Sequence, residues 1–225
     1  MQRKIQVLGW TLIWSGIFIF GYVGWQIYVT DLINERVQDE ASDELDDMFE
    51  AERADPPEAV EVAPEDDPDG EPLLHYAEDD PGIGEGFALL TVPSLGLEAV
   101  VFEGVDRATL TNGPGHMPGT PLPGQPGNAV ISGHRTTYGR PFHDFDLLEP
   151  GDLIEVETPI GTHVYEVRET QIVQPTDVWV TEDRDGGWLT LTTCHPKYSA
   201  RERLIVFAEM VSGPNFDYID YLNQI

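Results

Sequence analysis

The chain opens on an unbroken apolar stretch. After Arg3 and Lys4 no charged residue occurs from Ile5 to Thr30, 26 positions rich in Ile, Leu, Val, Trp, Phe and Gly. As a helix, its apolar part from Val7 to Tyr28 would be about 33 Å long, because an α-helix rises about 1.5 Å per residue. That matches a hydrocarbon core of about 30 Å. Trp10, Trp25 and Tyr28 fall toward the ends of the run, where amphipathic rings favour the headgroup region. A cleaved signal peptide would need a shorter apolar region and a small-x-small site, and Val29-Thr30-Asp31-Leu32 offers no such site. Residues 5–30 are therefore expected to form one transmembrane helix. The nearby cations precede it while Asp31 and Glu35 follow, so the positive-inside tendency leaves residues 1–4 cytoplasmic and 31–225 extracellular.

The pattern then turns polar. Between Asp31 and Asp80 there are 21 acidic residues and two arginines, Arg36 and Arg53. Segment 55–72 adds prolines and almost no aromatic residue. Like-charge repulsion with little apolar surface does not offset the entropy of ordering, so residues 31–85 read as an acidic, largely disordered tether. Within it, Ile33, Val37, Leu45 and Phe49 recur at multiples of four, which allows a helix continuing from the membrane. As a flexible coil, about 50 residues would span roughly 40 Å, enough to lift a domain off a bilayer, although plain solubilising sequence would look the same.

From Gly86 onward apolar and β-branched runs appear at short intervals, punctuated by Gly, Pro and Asp. Strands are expected at 87–92, 98–102, 128–132, 153–158, 163–173, 188–193 and 204–211. His163-Val164-Tyr165-Glu166-Val167-Arg168 alternates as a half-buried antiparallel strand does. Many short strands and no long helical period imply an all-β barrel or sandwich over residues 86–225. The Gly- and Pro-rich stretch from Gly113 to Gly127 reads as one long loop, a common place for function.

Composition narrows the functional classes. Forty-one acidic against 12 basic residues give a formal charge of −29 over 225 residues. A nucleic-acid binder needs a basic face to release counterions, and a polybasic lipid anchor is equally excluded. The single cysteine allows no internal disulfide. An apolar content of 40% is enough for a real core.

That cysteine, Cys194, ends the run Trp188-Leu-Thr-Leu-Thr-Thr-Cys-His-Pro196. A lone cysteine is most often a small buried hydrophobe. Nucleophilic chemistry at a thiol requires a partner, because an ordinary thiol of pKa about 8.5 is mostly protonated at neutral pH. His134 lies just past an apolar strand in Ile131-Ser-Gly-His-Arg135, and Arg203 opens the final strand. An arginine there could hold a carbonyl or its developing oxyanion, and Arg201, at the same strand parity, could do so as well. His116, His134, His143, Cys194 and His195 are possible zinc ligands, but no pair has C-x-x-C or H-x-x-x-H spacing, so no metal is expected. Asp144 and Asp146 could pair as acid and base, though their spacing in a loop argues weakly for it. Neither a phosphate-binding loop nor a G-x-S-x-G elbow is present.

Taken together, the N-terminal anchor, Gly133-His134-Arg135, Leu189-Thr-Leu-Thr-Thr-Cys194-His-Pro196 and Arg203-Leu-Ile-Val resemble the sortase family. Gly113-Pro114-Gly115-His116 and Pro123-Gly124-Gln125-Pro126-Gly127-Asn128 are most similar to class E. The resemblance spans about residues 86–211. It implies a closed eight-stranded β-barrel with short helices, with the site at the ends of the strands carrying His134, Cys194 and Arg203. Cys194 would be the nucleophile, His134 the general acid and base, and Arg203 the oxyanion or substrate clamp, with no cofactor.

The reaction so implied is transpeptidation. The thiolate would attack the threonine carbonyl of a Leu-Ala-x-Thr-Gly-like or Leu-Pro-x-Thr-Gly-like sorting motif on a secreted protein, and a peptidoglycan-precursor amine of a Gram-positive wall would release the thioacyl intermediate. The backbone N–H of His195 would complete an oxyanion hole, and Thr193 would contact substrate. Glu78-Asp79-Asp80-Pro81-Gly82 has no aromatic after its Asp-Pro pair, and no apolar span occurs at the C-terminal end, which sets the chain apart from pilus-assembling members. A thiol hydrolase of the same fold and a non-catalytic barrel that binds surface proteins are the alternatives.

Overall fold

The computed structural model describes residues 2–54, 56–64 and 71–224. In chain order the elements are α1 (Gln2–Ala54), β1 (Val60–Val62), β2 (Leu73–His75), β3 (Gly86–Val92), β4 (Leu97–Glu103), α2 (Arg107–Asn112), β5 (Gly115–His116), β6 (Gly127–Ser132), β7 (Leu153–Thr158), β8 (Gly161–Val173), β9 (Gly187–His195), β10 (Glu202–Ser212) and α3 (Phe216–Leu222). Eight strands close into a barrel in the order β10-β8-β7-β3-β4-β5-β6-β9, while β1 and β2 form a separate antiparallel pair.

Period-2 alternation explains the barrel's interior. Ala88, Leu90 and Val92 of β3, Ile154 and Val156 of β7, Leu189 and Leu191 of β9, and Leu204, Val206 and Ala208 of β10 all belong to one buried core. Phe142 and Phe145, stacked with centroids 4.0 Å apart, join that core from the loop after β6. Seven expected strands are present within a residue or two of their expected bounds. The eighth, β5, has only two residues and sits inside the Gly113–Gly127 stretch, where no periodicity could signal it.

The tether departs from expectation. α1 runs on to Ala54, just short of Pro56-Pro57, where the proline ring disfavours helix in the residue before it. Leu45 and Phe49 are buried with Val100 and Phe102 of β4, and Val37, Ala41 and Met48 pack beside them. Ile33 stays 56% exposed and does not join that stripe. Asp39, Glu40, Asp43, Glu44, Asp46, Asp47 and Glu50 all face water. The acidic charge is therefore solvated on one side of a helix whose other side is docked, and each fully buried large side chain there is worth roughly 1.5–3 kcal/mol. Residues 31–54 are an ordered strut rather than a disordered tether, and β1 and β2 order part of the segment between that strut and the barrel. Residues 55 and 65–70 of the expected tether lie outside the described residues.

Earlier in α1, Gln6–Trp25 is long and apolar enough to cross a membrane, and none of it is buried against the protein.

Candidate active site

Cys194 lies near the end of β9, between two partners. β6 runs parallel to β9 with Ser132 beside Thr192, and Gly133 N–H donates to the Thr192 carbonyl at 3.0 Å. Continuing that register brings His134 to the level of Cys194. On the other side, β10 is antiparallel and pairs Arg203 directly with Cys194. The core residues Ala129 and Ile131, Leu189 and Leu191, and Leu204 and Val206 occupy the opposite parity in their strands. Cys194 and Arg203 therefore share the outer face of β9 and β10, and His134 follows two residues past the end of the parallel neighbour β6, with β9 in the middle.

Cys194 is half-buried. His134 is half-buried too, and its Nε2 is enclosed without a hydrogen-bond partner. Burial pushes the imidazole's pKa below the ordinary histidine value, so the ring is neutral at neutral pH and able to accept a proton. Its ring packs against Tyr138 with centroids 5.0 Å apart. The Phe142 ring lies against Gly133, where a Cβ would overlap it, so glycine makes room for that ring directly before His134. Arg203 is half-buried and its Nη1 donates to the carbonyls of Ala200 and Glu202, both at 3.0 Å, which ties the guanidinium to the β9–β10 turn. Arg201 is exposed and precedes β10, so the register separates two arginines that parity alone did not.

Two expected substrate contacts need restating. Thr193 is 3% exposed and its Oγ1 donates to the Gly133 carbonyl at 2.7 Å. It has the core-facing parity, so its side chain buttresses the backbone at Gly133, directly before His134, instead of offering a hydroxyl to a ligand. His195 closes β9 opposite Glu202, and its Nδ1 accepts a hydrogen bond from Arg135 Nη1 at 2.9 Å.

Arg135 is the residue that sequence reasoning left without a role. It is 2% exposed and spreads its donors over the site's frame. Nη1 reaches the Cys194 carbonyl at 3.3 Å, Nε the His143 carbonyl at 3.3 Å, and Nη2 pairs with Asp146 at 2.8 Å. The planar five-donor fork suits this bridging in a way a lysine could not. Lys197 joins from the β9–β10 turn, 3.0 Å from Asp144 and 3.3 Å from Asp146. Partial burial pushes the Asp146 carboxyl up, but bonds from Arg135 and Lys197 outweigh it and hold the pKa below the usual carboxylate range. Asp144 and Asp146 thus balance cations under the site and do not form an acid–base pair. The signal in the sequence was an arginine next to the candidate histidine with two aspartates ten residues on.

The remaining histidines are held apart. His116 is buried, with Nδ1 on Glu103 at 2.6 Å and Nε2 donating to the Pro121 carbonyl at 2.9 Å. The His143 Nδ1 donates to the Arg135 carbonyl at 2.8 Å. Among the described residues no group of three or more His, Cys, Asp or Glu could hold a metal ion.

Comparison with known proteins gives the same neighbourhood. Residues 90–211 match the Sortase domain model. Sortase SrtE1 of Streptomyces coelicolor is 35% identical over 144 residues, covering 57% of this chain and 41% of that protein. Sortase D of Bacillus subtilis is 32% identical over 136 residues, covering 59% of this chain and 67% of that protein. The crystal structure of Sortase E1 from Streptomyces coelicolor, with a tripeptide in its active site, superimposes with a TM-score of 0.54 at 33% identity, covering 57% of this chain and 90% of that one. With the domain model matching over half its length and the barrel closing in the same way, the chain belongs to the sortase family.

Proposed function

We propose that the chain is a membrane-anchored cysteine transpeptidase. The observation that carries this reading is the direct pairing of Arg203 with Cys194, with His134 two residues past the end of the parallel neighbour β6. The enclosed, unpartnered Nε2 of neutral His134 accepts the Cys194 thiol proton. The thiolate sulfur then attacks the threonine carbonyl carbon of a Leu-Ala-x-Thr-Gly-like or Leu-Pro-x-Thr-Gly-like motif, and the carbonyl π-pair moves to oxygen. Arg203 stabilises that oxyanion, aided by the His195 backbone N–H. As the carbonyl re-forms, the bond to glycine breaks and the departing amine takes the proton from His134. An amine of a peptidoglycan precursor attacks the resulting thioester and loses a proton to His134, and the thiolate leaves. The tripeptide seated in the Streptomyces relative supports a peptide substrate.

The partners in this reading are secreted proteins with a C-terminal sorting motif, a wall amine, and the bilayer through residues 5–30, with no cofactor. The apolar helix Gln6–Trp25 supports a single pass, residues 1–4 being cytoplasmic and the barrel extracellular. The test uses the full chain in vesicles with fluorogenic Leu-Ala-x-Thr-Gly and Leu-Pro-x-Thr-Gly peptides and triglycine as amine. Ligated product that disappears in Cys194→Ala and His134→Ala is expected. Cleavage without amine incorporation would make the enzyme a hydrolase, and no acyl adduct on Cys194 would reduce it to a binding barrel.

A further inference from the structure

Past Trp25, Asn34 is the first described residue of α1 whose side chain is buried, at 8% exposure. Asn34 lies nine positions beyond Trp25, about 14 Å along the helix axis. Asn34 Nδ2 donates to the Thr111 and Asn112 carbonyls at 3.0 and 2.9 Å, satisfying acceptors that the end of α2 leaves open. Its Oδ1 lies against Gly139, so close that a Cβ at that glycine would overlap it. A cavity of about 260 Å³ between α1 and the barrel is bordered by Asn34, Gly139, Arg140 and Pro141.

Gly139 is the centre of an unusual turn. Tyr138, Gly139 and Arg140 have φ of 52°, 71° and 54°, successive left-handed residues of which only the glycine adopts that region freely. Non-glycine residues in this region cost of order 1 kcal/mol or more, and persist where surrounding structure holds them. The same turn touches His134. The Tyr138 ring packs on the imidazole, and Phe142 N–H donates to the His134 carbonyl at 3.1 Å.

We propose that Asn34 is a positioning residue: from just beyond the apolar span of α1 it braces the Tyr138-Gly139-Arg140 turn and, through that turn, holds His134 level with Cys194. The anchor helix is thereby part of the site's scaffold as well as its attachment. The inference rests on the reading of His134 as the proton carrier.

Gln38 supplies the control. One turn further along α1 it donates to Asn112 and Val100 carbonyls at 2.9 and 3.3 Å and accepts from Val100 N–H at 2.8 Å, so its bonds dock the helix to β4 and α2 and not to the 138–140 turn. The full chain in vesicles is assayed for transfer of a Leu-Ala-x-Thr-Gly peptide to triglycine, and hydrogen exchange is followed across 133–143. Asn34→Ala is expected to lower kcat about tenfold, since small misplacements of a catalytic group are costly, with KM within about twofold. The acid limb of its pH profile moves toward the ordinary histidine value, because a loosened turn exposes the imidazole, and exchange in 133–143 quickens. Gly139→Ala, which crowds Asn34 from the other side, does the same, and its effect shrinks when Asn34 is already alanine. Gln38→Ala leaves the acid limb and the 133–143 exchange as they were. Unchanged exchange and pH profile in Asn34→Ala, or equal changes in Gln38→Ala, would overturn the proposal. Should His134→Ala retain transfer, the catalytic reading fails instead, and exchange in 133–143 still reports whether Asn34 braces the turn.

Discussion

Arg203 stands directly opposite Cys194 across the antiparallel pairing of β9 and β10, with its guanidinium fastened to the Ala200 and Glu202 carbonyls. Directly paired residues on one face have Cβ atoms about 4.5–5.5 Å apart, so a carbonyl bound at the thiol lies within reach of the arginine. Arg203→Ala should lower kcat/KM by about 10²–10³, the size of losing one oxyanion donor. Arg201→Ala, from the exposed turn, should stay close to the parent. Steady-state kinetics with the fluorogenic peptides compares them, and the reverse ranking would show that the turn rearranges to bring Arg201 in.

Arg135 supports the site's backbone from below. Its contacts to the Cys194 carbonyl and to His195 Nδ1 fix the last residues of β9, and Asp146 balances its buried charge. Arg135→Lys keeps the charge and loses the fork, so it should lower both the melting temperature and kcat. Hydrogen bonds to charged groups are worth about 1.5–3 kcal/mol each, and Arg135→Ala should cost at least one of them. Calorimetry alongside kinetics separates the losses, and a stable but inactive Arg135→Lys would assign the arginine to substrate instead.

Thr193 offers a test of orientation. With its hydroxyl donated to the Gly133 carbonyl inside the barrel, Thr193→Val should lose about 1 kcal/mol of stability. The accompanying drop should fall on kcat, because the backbone at Gly133, directly before His134, loosens, with KM unchanged. A raised KM at full stability would mean that the threonine reaches substrate after all.

Buried His163 and half-buried Glu78, both near Thr158, predict opposing pH dependences. Burial lowers His163 to about 4 from 6.5, so between those values the unfolded chain binds more protons and stability falls as pH falls. Burial raises Glu78 to about 7 from 4.5, so the folded state binds more protons in that window and stability falls as pH rises through it. The two slopes oppose each other over most of the same range, so His163→Gln should leave a melting temperature that falls as pH rises through it, and Glu78→Gln one that falls as pH drops. Parallel profiles for both variants would refute burial as the cause.

The docked half of α1 depends on few large side chains. Phe49→Ala should cost about 3–5 kcal/mol of local stability by leaving a cavity beside Val100 and Phe102. Proteolysis within 31–54 should accelerate while the barrel stays folded. Unchanged digestion would mean that the polar bonds of Asn34 and Gln38 hold the helix by themselves.

Sequence alone determined what depends on local pattern. Apolar and β-branched runs between turn residues marked seven of the barrel's strands, an uncharged run marked the apolar helix, and a motif around Cys194, His134 and Arg203 marked the family, because each is written in neighbouring residues. It also put acidic repulsion ahead of a sparse apolar stripe at 31–54, a balance that tipped only once β4 supplied a surface for Leu45 and Phe49 to bury against. Tertiary structure decided the rest: which arginine faces the thiol, that Thr193 points inward, that Arg135 braces the β9 end, and that Asn34 meets Gly139. Those are consequences of register between distant strands and of a helix laid along a barrel, and such pairings leave no mark in the spacing of residues along one chain.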